Sequence, residues 1–144
     1  MTLIAHHALY LLLGLAFSWL GTELQSTFLT SFLSSSLLVL QVALLAINTT
    51  ARTALLSKLR ELGSDSKIKF QNTAKAMNSA LVEQIVLIAL TALILILYFS
   101  MQIASVPLMK LLTEAALIGM LIASIQIVYD TAKAIMLILE DQLK

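Results

Sequence analysis

Four stretches of about twenty residues, 3–20, 28–47, 85–104 and 108–128, are mostly apolar, each long enough to cross a hydrocarbon core of about 30 Å as a helix. The first three hold no Lys, Arg, Asp or Glu. The fourth holds Lys110 and Glu114 near its start, where long side chains reach an interface. The expected fold is an all-α integral membrane protein with four transmembrane helices. The first stretch has no basic segment ahead of it, and Gly21-Thr22-Glu23-Leu24 makes a poor cleavage site, so it is expected to stay as a helix. Only 12% of the residues are charged, half the share of an ordinary soluble domain, and the excess apolar surface is expected to face lipid. A net charge of +1 excludes the basic footprint of a nucleic-acid binder. With no Cys, disulfides, thiolate metal sites and Cys nucleophiles are excluded.

Orientation follows the basic residues. The connection after the second stretch carries Arg52, Lys58, Arg60, Lys67, Lys69 and Lys75, whereas residues 21–27 carry none and the 106–107 turn is followed only by Lys110. The long connection is therefore expected in the cytoplasm together with both termini, as in a bacterial inner membrane. Trp19 and Tyr98-Phe99 then fall toward the opposite interface as an aromatic belt. The six basic residues also form a candidate surface for docking a soluble partner or for contact with anionic lipid.

Helical periodicity continues out of the spans. Leu55, Leu56, Leu59 and Leu62 make one stripe, Gly63 fits a helix end, and Ser64-Asp65-Ser66 offers a cap for a helix with Phe70, Ala74, Met77 and Leu81 on one face. Residues 49–82 are thus expected as a cytoplasmic helical hairpin, and residues 129–144 as an extension of the fourth helix. The second, third and fourth helices would run to about 55–58 Å, with around 25 Å projecting from the membrane as a helical layer. Pro107 fits the first position of the fourth helix.

A polar register marks the close-packing faces. Thr27, Ser34, Gln41 and Asn48 recur at steps of seven and continue as Leu55 and Leu62; Phe70 and Met77 continue as Gln84, Thr91, Tyr98 and Ser105. Inside lipid small and polar residues mark helix contacts, and outside it apolar ones do, so each helix keeps one buried face that changes composition at the interface. Two uses stay open for this stripe: hydrogen bonding within the bundle, or a wet lumen at the axis of a homo-oligomer. Ala116, Gly119, Ala123 and Gln126 form a candidate oligomer seam, and His7, Gly14 and Gly21, with Gly14 and Ser18 four apart, mark the packing side of the first helix.

Chemistry is sparse. His6 and His7 are adjacent and point about 100° apart, so they cannot share a metal, and no metal, cofactor, nucleophile or phosphate-loop motif occurs. No enzyme activity and no cofactor are expected. An Arg52–Asp130 or Arg52–Glu83 ion pair is expected to fix helix depth at the inner interface. Glu114 is expected beside Lys110 near the outer face; were it intramembrane, it would be the best candidate for ion or proton coupling.

The chain resembles small multidrug-type exporters in helix count, but it lacks their acid in the first span, where Gly14 and Ala16 stand, and it has a strong Lys/Arg bias. In length and span order, with a basic cytoplasmic hairpin between spans two and three, it is similar to the small four-span exclusion or defence effectors of bacteria and phages. That likeness implies a stress or phage-defence task. The three long helices, and Ala134–Leu139, apolar on all sides and so in need of cover beyond one monomer, point to a homo-oligomeric, channel-like or signal-transmitting membrane component; the alternative is a non-conducting anchor or assembly subunit whose hairpin docks a soluble partner.

Overall fold

The computed structural model describes residues 3–61, 67–99 and 106–142, with side-chain surroundings for 8–57, 75–99 and 106–136. Every regular element among them is helical: α1 Leu3–Glu23, α2 Thr27–Ser35, α3 Leu37–Glu61, α4 Lys67–Tyr98 and α5 Pro107–Gln142. Three segments are long and apolar enough to cross a membrane, Leu37–Ser57, Lys75–Tyr98 and Pro107–Met136, and they point to an integral membrane protein. In α1 the described apolar stretch, Ala8–Glu23, is shorter.

The expected second helix is interrupted at Ser36, which divides it into α2 and α3. Ser36 sits at φ −116°, yet its N–H still donates to Phe32 O at 2.9 Å, and its carbonyl accepts from Leu40 N at 2.9 Å. The interruption lies in a run of serines. Ser34 and Ser35 both turn their hydroxyls back onto Ser31 O, at 2.9 and 2.7 Å, a competition for a backbone carbonyl that disturbs regular helix.

The α1–α2 turn is a Schellman closure, with Ser26 N donating to Gly21 O and Gln25 N to Thr22 O. Gln25 occupies the left-handed position, φ 49°, that glycine usually takes. Ser26 then caps α2 by accepting from Phe28 N. Pro107 opens α5 as expected, whereas α4 ends earlier than the 85–104 stretch anticipates, at Tyr98 with a turn at Phe99. The remainder of that stretch, residues 100–104, lies outside the described residues, as do Ser105, residues 62–66 of the hairpin and the side chains of Lys58, Arg60, Lys67 and Lys69.

The centre of the molecule is α5. It packs against α1 most extensively, and also against α3, α4 and α2, while α3 packs on α4. Leu33, Leu37, Leu95, Leu117 and Ile118 form the buried apolar cluster. Close approach of α1 to α5 depends on Gly14, where a Cβ would run into the Ala115 carbonyl. Gly119 answers it from α5, where a Cβ would lie 3.3 Å from Tyr10 O.

Candidate functional site

Seven residues after Pro107, about 10 Å along the helix axis, α5 presents Glu114, only 4% exposed. Hydroxyls from three other helices turn toward it: Tyr98 of α4 donates to Oε1 at 2.8 Å, Ser18 of α1 to Oε2 at 3.1 Å, and Thr30 of α2 to Oε1 at 3.5 Å. Lys110, one turn earlier, stands 3.9 Å from Oε1. Gly14 explains why Ser18 reaches. Once the backbones of α1 and α5 are in contact at Ala115, the next turn of α1 brings the Ser18 hydroxyl within 3.3 Å of Leu111 O and onto the carboxylate.

Glu114 stands one turn after Lys110, as expected, and its carboxylate turns inward between the helices, where hydroxyls satisfy it as burial of a polar group requires. Tyr98 is buried between the helices with its hydroxyl on Glu114, whereas Trp19 and Phe99 are exposed.

Beside this node, α1, α2 and the start of α5 enclose an open recess of about 670 Å³, lined by Thr22, Gln25, Thr27, Ser34, Lys110 and Glu114 among others. Thr27 and Ser34, placed at sequence level on the candidate lumen or packing stripe, belong to this recess and are exposed.

The rest of the stripe lies between α3, α4 and α5. Gln41, Gln84 and Thr91 are fully buried and Asn48 nearly so. Asn48 Nδ2 donates to Gln84 Oε1 at 2.8 Å, Gln41 Nε2 to Ser124 Oγ at 3.4 Å, and Thr91 Oγ1 lies 3.4 Å from Met120 Sδ. Leu55 and Met77 continue the same faces and are buried as well. Of the candidate oligomer seam, Gly119 and Ala123 are buried and Ala116 and Gln126 half-buried; Gly119 meets α1 of the same chain.

Neither expected Arg52 ion pair forms among the described residues. Asp130 accepts instead from Gln126 Nε2, one turn earlier, at 2.9 Å, and Arg52 Nε is buried without a protein partner. Arg52 is half-buried and Lys75 exposed. Among the described residues no cluster of three or more His, Asp or Glu is arranged to hold a metal ion.

Sequence reasoning missed that Ser18, Thr30 and Tyr98 converge on Glu114. Ser18 and Tyr98 stand on packing faces that the spacing marks, but the three come from helices whose relative depth no local pattern fixes. Comparison with protein families, with curated proteins and with solved structures yields no match for this chain.

Proposed function

We propose that this chain is a four-span membrane protein of a bacterial inner membrane, with its termini on the cytoplasmic side, that transmits the state of the Glu114 node to a cytoplasmic helical layer without conducting ions. One observation carries this reading: hydroxyls of α1, α2 and α4 all bind one carboxylate of α5, and α5 is a single helix of 36 residues, about 54 Å long. A change at the node alters how three helices hold the fourth, and a rigid rod carries the change to the other end of the bundle. The fourth span is α1, whose 21 residues extend about 32 Å. The Lys/Arg bias supports placing the node at the non-cytoplasmic end.

The channel alternative draws less support, because Gln41, Asn48, Gln84 and Thr91 of the candidate lumen stripe face one another and α5 inside the bundle, and only Thr27 and Ser34 of that stripe are exposed. The layout shared with exclusion and defence effectors makes that task the first to assay, and the cytoplasmic layer is where a soluble partner or a second copy would dock.

The natural absence of Cys simplifies a test. Lys75→Cys is exposed on α4, in the proposed cytoplasmic layer, and its labelling rate by a membrane-impermeant thiol reagent in inside-out vesicles reports on that layer. Glu114→Gln is expected to change this rate several-fold while liposomes containing the wild-type protein show no ion flux. Flux that Gln41→Leu abolishes would restore the channel, and an unchanged labelling rate would leave the anchoring subunit as the better account.

A further inference from the structure

Two opposite charges share the recess beside the node. Glu114 is held at its base by hydroxyls, whereas Lys110 is 46% exposed, and at 3.9 Å the pair is loose enough for the ammonium to swing toward a ligand. The walls divide by hydrogen-bonding character. Thr22 and Ser34 spend their protons on backbone carbonyls and Thr30 spends its proton on Glu114, so these oxygens keep lone pairs for a donor. Lys110 and the first turn of α2, at Ser26 and Thr27, bring positive charge and the positive end of a helix dipole to the same space. Gln25 also lines it, from a left-handed backbone position where glycine would be free of strain.

A recess of about 670 Å³ that offers one anion and one cation has the charges for a small zwitterion and room for more than its head. We propose that the recess binds an aminoethyl phosphate group, its ammonium on Glu114 and the neighbouring hydroxyl oxygens, its phosphate on Lys110 and the start of α2. The same chemistry is offered by a phosphatidylethanolamine headgroup and by free phosphoethanolamine. The lipid is the favoured source, since Leu24, Phe28 and Leu108, on the segments that form the recess, are exposed and apolar and suit acyl chains. This assignment rests on reading the node as the input end of a transmitting unit.

The test is calorimetric titration of the detergent-solubilised full chain with short-chain phosphatidylethanolamine, with phosphatidylglycerol of equal chain length, and with free phosphoethanolamine. Saturable binding of the ethanolamine lipid is expected, weakened about tenfold or more by Lys110→Ala and by Glu114→Gln, because each removes a charge-assisted contact. Gln25→Gly is the informative third variant: it relieves the backbone, so weaker binding with no loss of thermal stability assigns the Gln25 side chain to the ligand. Binding of the lipid alone identifies a membrane-presented headgroup, and equal binding of free phosphoethanolamine identifies a soluble ligand; both support the site. No saturable binding, equal affinity for phosphatidylglycerol, or Lys110→Ala and Glu114→Gln both binding as wild type overturns it. Binding that leaves the Lys75→Cys labelling rate unmoved defeats transmission and keeps the site, while a rate altered by Glu114→Gln with no binding defeats the site and keeps transmission.

Discussion

Glu114 illustrates how a charge inside an apolar bundle is tolerated. A carboxylate offers acceptors only, and each neighbouring hydroxyl that turns toward it replaces part of the water it has lost. Tyr98 makes the shortest of these bonds, 2.8 Å, from a buried position. Tyr98→Phe removes that donor without changing the ring, and is expected to destabilise the bundle by about 1–2 kcal/mol, between the range for bonds to charged groups and that for polar contacts in membrane helices. Reversible unfolding in mixed micelles measures it; a loss under a few tenths of a kcal/mol would show that Ser18 and Thr30 suffice. A second comparison separates buried from exposed polar pairs. Asn48→Ala leaves Gln84 without its partner inside the bundle and is expected to cost about 1 kcal/mol. Asp130→Asn, at an exposed i,i+4 contact with Gln126, is expected to cost less than about 0.5 kcal/mol in the same measurement.

The helices show which features a sequence records and which it does not. The step of seven through Gln41, Asn48 and Leu55, and through Met77, Gln84, Thr91 and Tyr98, is visible in the chain because a helix face is a local property, and all seven side chains are buried. Pro107 as a helix start is local too. The depth of Glu114 is not: its distance from Pro107 is fixed by the helix, but what covers it depends on how closely α1 and α2 approach, which no periodicity encodes. The Ser34-Ser35-Ser36 run is an ambiguous signal for the interruption at Ser36, because serine serves equally as packing glue in membrane helices. The turn at Gln25 was hidden for the opposite reason, since no glycine marks its left-handed residue. Glycine does mark the α1–α5 contact, and the two positions differ in degree. Gly14→Ala drives a methyl into a backbone carbonyl that cannot move aside, with an expected cost of about 2–3 kcal/mol. Gly119→Ala meets Tyr10 O at 3.3 Å and should cost less than half as much. Equal losses for the two variants, measured by the same unfolding assay, would mean that α1 shifts bodily to accommodate either one.

At the scale of the molecule, the contacts are unequal, and the inequality gives the bundle a direction. Helix α5 touches every other element, whereas the main contact of α1 is with α5 and only a minor one is with α2. An element held mainly on one side opens at lower free energy than one surrounded by neighbours. Amide exchange in nanodiscs is therefore expected to be slowest in the middle of α5, around Leu117 and Ile118, and faster in the half of α1 that packs there. Gly14→Ala should accelerate exchange in α1 and around Ser18 and Glu114, because loosening that contact withdraws one of the three hydroxyls from the carboxylate. The α3–α4 contact at Asn48 and Gln84 uses neither α1 nor the node, so its exchange should stay within about twofold of wild type unless the perturbation travels along α5. Where that change appears discriminates between the readings. Acceleration confined to α1 and the node describes a clasp that only fastens helices together, whereas acceleration that reappears in α5 beyond Asp130 and skips the Asn48–Gln84 contact is the behaviour of a rod that carries the state of one end to the other.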